Sequence, residues 1–175
     1  QTLYQITSSP AATAVTAVFE DGLCKSVSAS RLASGIDRSS TDISVTYRNT
    51  QPAIQFLSNG LPAYSQCNTD TIECANSSNW QSATLINSEL KDISEMTAAG
   101  DNGTHFFRAI RALNGSTAKL YMQVCSEADC GNPQNWDTVR LANSFLQDLS
   151  IEVFGNSVYL VGRDATGVLS VYGCT

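Results

Sequence analysis

Apolar and polar residues alternate along most of this chain with a period of two, in short runs broken by Gly, Asn and Ser. One set of four such runs reads "DISEMTA" (92–98), "HFFRAIRAL" (105–113), "AKLYMQVC" (118–125) and "NWDTVRL" (135–141). That period, with β-branched and aromatic residues filling the runs, predicts half-buried strands. "SNGLP" (58–62) and "LNGST" (113–117) supply Asn-Gly turns between them. "NSELKDISEM" has some helical character, but its counterpart "RSSTDISVTY" favours a strand. The pattern predicts an all-β chain.

The strand pattern repeats. "YSQCNTDTIECANSSNWQSATL" (64–85) lies over "YMQVCSEADCGNPQNWDTVRL" (121–141), a period of 56 residues measured between Leu85 and Leu141. In each copy the second cysteine precedes Trp80 or Trp136 by six residues. Asp92 and Asp148 then stand seven residues beyond the shared Leu. A third copy is split between the chain ends: "RLASGIDRSSTDIS" brings Asp42, while "GVLSVYGCT" and "LCKSVSASRL" divide the cysteine-bearing part. Units of this length built from short strands are the mark of propeller blades. The expected architecture is therefore a β-propeller of three four-stranded blade repeats. Its N- and C-terminal strands would close one blade, with the pairs Cys67–Cys74, Cys125–Cys130 and Cys24–Cys174 as disulfide staples. Residues 1–22 would form an extension or edge strand before one domain, 23–175, with repeats at about 33–85, 86–141 and 142–175 plus 23–32. Three blades make a small ring, so either one chain closes or a homodimer builds six blades.

Composition narrows the function. The 175 residues carry a net charge of −6, with 42% hydrophobic and 15% charged residues. Without a basic cluster, binding to nucleic acid is excluded, and no apolar run is long enough for a membrane span. Six cysteines with a single histidine, His105, favour disulfides over zinc, and hence an oxidising compartment. Sequons at Asn76, Asn102 and Asn114 fit a secreted glycoprotein, and a start at Gln1 is what signal-peptide removal would leave.

The cysteine pair, the Asn-Trp and the "DLSIEVFGNSVYLVGRDATGVLSVYGC" run resemble blades of secreted, sialidase-like β-propeller repeat proteins. The Asp-box of true sialidases, S-x-D-x-G-x-T-W, is absent. There is also a resemblance to the fungal fucose-binding lectins, whose sugar pockets lie between blades and use Arg, Glu and aromatic side chains. It implies ligand-binding roles for Arg108, Trp80 and Trp136, with Gln66 and Gln123 nearest to where the Glu would stand.

Each candidate has a structural reading beside its functional one. His105 has no nucleophile motif near it and reads as structural, so no catalytic residue is assigned. Trp80 and Trp136 read first as blade packing and second as sugar-stacking platforms. Asp42, Asp92 and Asp148 read first as strand-entry residues; a ring of three carboxylates holding Ca²⁺ is the alternative, and no other cofactor is expected. The favoured function is a non-catalytic, lectin-like glycan binder working through clefts between blades, with a glycan or cell-surface glycoprotein as partner. A secreted effector binding a protein, through an apolar patch around Ala11 to Phe19, is the rival. A glycan hydrolase comes third.

Overall fold

The computed structural model describes residues 2–7, 13–20, 23–31, 41–48, 51–58, 60–68, 74, 77–81, 84–85, 90, 92–100, 103, 105–114, 117–142 and 146–174. Among these the strands form four antiparallel sheets, each laid down in chain order. The first sheet comprises β1 (Thr2–Thr7), β2 (Thr13–Glu20) and β3 (Leu23–Arg31). The second holds β4 (Thr41–Arg48), β5 (Gln51–Ser58), β6 (Leu61–Gln66) and the short β7 (Thr84–Leu85). β8 (Ile93–Gly100), β9 (Phe106–Asn114), β10 (Thr117–Cys125) and β11 (Asp137–Ala142) make the third. The fourth stops at three strands, β12 (Gln147–Phe154), β13 (Ser157–Arg163) and β14 (Leu169–Cys174).

This arrangement corrects the three-bladed propeller closed by its ends. The segment expected to complete the last blade, Leu23–Arg31, pairs instead with β2, from Glu20↔Leu23 to Thr13↔Arg31. Only two residues, Asp21 and Gly22, separate β2 from β3, and Asp-Gly between alternating runs is a strong hairpin signal. Closing so short a loop costs far less entropy than closing nearly the whole chain. Thr2–Thr7 and Thr13–Glu20 are thus two strands of the first sheet, with β1 at its edge. Cys174 carries an exposed free thiol, so the Cys24–Cys174 bridge is not formed. Among the described residues the main contacts between sheets run from each sheet to the next along the chain.

The repeat itself is real and has a backbone cause. Asp42, Asp92 and Asp148 are the described non-glycine residues with positive φ, at 52°, 52° and 54°. Pairing slips by a residue at each of these places, next to Thr41, Ile93 and Gln147. Each aspartate is thus the left-handed residue of a β-bulge at the entry to a sheet's first strand. Asp is among the few residues that tolerate this conformation.

The bulges join one sheet to the next. Asp42 Oδ2 accepts the Met96 N–H at 2.9 Å and Ser44 Oγ accepts the Ala98 N–H at 3.2 Å. One step later Glu95 accepts the Leu149 N–H. First strands therefore lie side by side, β4 against β8 and β8 against β12. Gly100 marks the tightest approach, since a Cβ there would run into the Tyr47 backbone. Leu57, Ile93, Met96, Ile110 and Ala112 fill the layer between the second and third sheets. Ala109, Leu120, Leu146, Ile151 and Leu160 fill the layer between the third and fourth.

Candidate functional site

Two corners of the molecule share one frame. Cys67–Cys74 and Cys125–Cys130 are both bridged, each with a Cα separation of 5.9 Å. In each, the indole Nε1 donates to the carbonyl of the second cysteine: Trp80 to Cys74 at 2.8 Å and Trp136 to Cys130 at 2.9 Å. A short 3₁₀ turn precedes each Trp, Ser77–Asn79 in one and Pro133–Asn135 in the other. Asn132 caps the second turn by accepting from the Gln134 N–H.

What the indoles pack on differs. Trp80 joins Ile54, Phe56 and Ala63 in an apolar cluster. Trp136 lies against the guanidinium of Arg108, 3.6 Å from ring centroid to Cζ. Arg108 is fully buried, and its Nε donates to Gln123 Oε1 at 2.7 Å, while Gln123 Nε2 donates to Thr138 Oγ1 at 2.7 Å. Its two terminal nitrogens have no hydrogen-bond partner among the described residues, and neither has the buried Gln55 amide. Burial pulls the Arg108 pKa down to about 9. A desolvated charge costs several kcal/mol. The stack on Trp136 is worth about 2 kcal/mol and the charge-assisted bond about 1.5–3 kcal/mol in return.

The facing sheet adds polar groups to this seam. Tyr64, Gln66 and Gln55 lie on the face of the second sheet that carries Ala53, which packs with Phe106 and Trp136. Tyr64 meets Phe106 edge-on at 5.5 Å, its hydroxyl donates to Gln66 Oε1, and Gln66 Nε2 donates to Gln51 Oε1 at 2.9 Å. Burial, first among the causes, raises the Tyr64 pKa. Arg48, at the end of β4, reaches across to the 126–130 loop. It donates to Glu127 O, to Ser126 O at 3.1 Å and to Cys130 Sγ at 3.2 Å. The guanidinium also lies 5.7 Å from the Phe106 ring. This seam is shut.

The next seam is open. Between the third and fourth sheets lies a cavity of about 460 Å³. Its floor is apolar, from Phe107, Val124 and Val158, and its polar groups are His105, Ser126 and Asn156. The His105 and Phe107 rings lie 5.9 Å apart, tilted by 31°. The Cys174 thiol stands at the rim, and no carboxylate belongs to the described lining.

Four of the five expected ligand residues, Trp136, Arg108, Gln66 and Gln123, therefore meet at one seam, but they fill it rather than line a pocket. Trp80 sits in a separate core. Asp42, Asp92 and Asp148 do not gather: Asp148 pairs with Arg163, Asp42 serves Met96, and the Asp92 carbonyl accepts from Leu113 at 2.9 Å. Burial raises the Asp42 pKa, against the lowering effect of the Met96 N–H and Arg111. Among the described residues no three His, Cys, Asp or Glu side chains come together as metal ligands. Asn76 and Asn102 lie outside the described residues, as do the side chains of Asn114 and of the Ala11 to Phe19 patch. Arg48 was not singled out from sequence; its place at the end of a first strand, facing a cysteine loop, was the available signal.

In fold the chain is similar to the exo-β-1,3-galactanase of Phanerochaete chrysosporium in its structure with β-1,3-galactotriose, at TM-score 0.56 and 12% identity. The likeness covers 98% of this chain and 44% of that one, so the chain spans less than half the enzyme's length. That enzyme belongs to a five-bladed β-propeller family. No protein-family model and no curated protein matches the sequence. Two disulfides fit an oxidising compartment, and among the described residues no helix is long and apolar enough to cross a membrane.

Proposed function

We propose that this is a secreted glycan-binding protein, non-catalytic, that receives its ligand in the cleft between the third and fourth sheets. The observation that carries the reading is the open cavity of about 460 Å³, within the size range of ligand pockets. A flat ring over an apolar floor suits the C–H face of a pyranose, and nearby amide, hydroxyl and imidazole groups suit its hydroxyls. The fold likeness to a protein solved with a galacto-oligosaccharide supports a glycan ligand. Glycoside hydrolysis takes two carboxylates flanking the bond. The binding reading calls on no such pair, only on Phe107, Asn156, Ser126 and His105.

Cys174 at the rim gives the test. Its alkylation rate, followed by peptide mass mapping, should fall when β-1,3-linked galacto-oligosaccharide is added. Phe107→Ala and Asn156→Ala should abolish that protection. Equal rates with and without sugar, across galactose-, fucose- and sialic-acid-bearing glycans, would remove the reading. Release of reducing sugar on long incubation would put the hydrolase first.

A further inference from the structure

The fourth sheet has one face packed and one bare. Ile151, Val158 and Leu160 turn into the core shared with the third sheet. Strand alternation sends Glu152, Tyr159, Val171 and their same-face neighbours the other way. Phe154, Leu169 and Val171 are 80%, 70% and 65% exposed, and Tyr159 and Val168 are exposed as well. Outside this sheet and its last connection, Leu113 and Val139 are the exposed large hydrophobics among the residues whose side chains are described. The second and third sheets, by contrast, take part in layers with a following sheet. The bare face therefore continues a stacking interface that the chain already uses twice.

Its charges say what fits there. The central rung is Ser150–Val161–Val171. One rung to one side holds Glu152, Tyr159 and Gly173; one rung to the other holds Arg163 and Leu169. A two-fold axis through the central rung lays Glu152 of one copy over Arg163 of the other, and Tyr159 over Leu169. Both ends gain at once, as an isologous contact requires. Arg163 already meets Asp148 through Nε, and a guanidinium has further donors free to take a second carboxylate. We propose that two copies of this chain pair through the outer faces of their fourth sheets.

Sedimentation velocity over a dilution series tests this. The wild type should dimerise, and Val171→Asp should be monomeric at every concentration. Glu152→Arg and Arg163→Glu should each weaken the dimer about tenfold, since each places like charges together at two symmetric points. The double reversal should restore it, which a merely misfolded variant would not do. A wild type that stays monomeric, or a dimer indifferent to Val171→Asp, overturns the proposal. Open-ended association beyond the dimer overturns the two-fold pairing, because it means head-to-tail stacking. A charge-swapped double variant no better than the singles overturns the register.

Discussion

The two cysteine–tryptophan corners are built alike and filled differently. Each has a short disulfide loop, a 3₁₀ turn and an indole bonded to the second cysteine's carbonyl. Ile54 pairs with Ser65, two residues before Cys67; Arg108 pairs with Gln123, two residues before Cys125. The same strand position thus carries an aliphatic side chain in one corner and a guanidinium in the other. Ser65 needs only the Gln81 carbonyl, at 2.7 Å, whereas Gln123 must serve Arg108 and Thr138 together. A covalent frame fixes where the indole lies; the neighbouring strand decides whether the corner is an oily core or a polar stack.

The frame is tested by removing the indoles. Trp80→Ala and Trp136→Ala should each cost roughly 3–5 kcal/mol in urea unfolding, the range for a large buried aromatic. A much smaller loss at Trp136 would show that the cation stack is the weaker packing. Cys125→Ala/Cys130→Ala should cost about 2–3 kcal/mol, by the chain-entropy account of short loops. It should exceed Cys67→Ala/Cys74→Ala in cost, because Arg48 also loses the loop carbonyls it binds. The filling is tested by converting one corner towards the other. Arg108→Met/Gln123→Leu should leave stability unchanged or raise it by roughly 1–4 kcal/mol, since a buried charge gives way to apolar volume. Arg108→Met alone should be worse than the pair, because Gln123 Oε1 then loses its donor at a cost of about 1–3 kcal/mol. The smallest effect falls on Thr138→Val, about 1 kcal/mol for one hydrogen bond, with no counterpart change at the Trp80 corner.

Much of this was legible in the sequence, and for identifiable reasons. Cysteine spacing gave both local disulfides, because five or seven intervening steps leave few other partners within reach. The recurring Asp-Ile/Leu-Ser marked the entries to first strands; that each entry is a bulge came only with the backbone, where Asp is one of the few residue types that accept positive φ. Strand partnership at the ends was not legible from likeness between repeats. "LCKSVSASRL" does resemble a fourth strand, and β3 is the last strand of its own sheet. Which sheet it joins is decided by the two-residue link behind it. Four of the five residues expected to bind ligand lie at one seam and Trp80 lies in a separate core, yet sequence cannot tell a filled seam from an open one. That depends on side chains from a second sheet, Tyr64 and Arg48 in the closed case. His105, set aside as a lone histidine, borders the open one.

The bulge-borne hydrogen bonds have a kinetic consequence. Asp42, Ser44 and Glu95 each reach only to the sheet that follows, and the principal contacts between sheets join sequence neighbours. Such a molecule behaves as a chain of coupled units whose stability is a sum over neighbours. Amide exchange should then be slowest in β5 and β9, flanked on both sides, and fastest in β14, with opening that travels inward one sheet at a time.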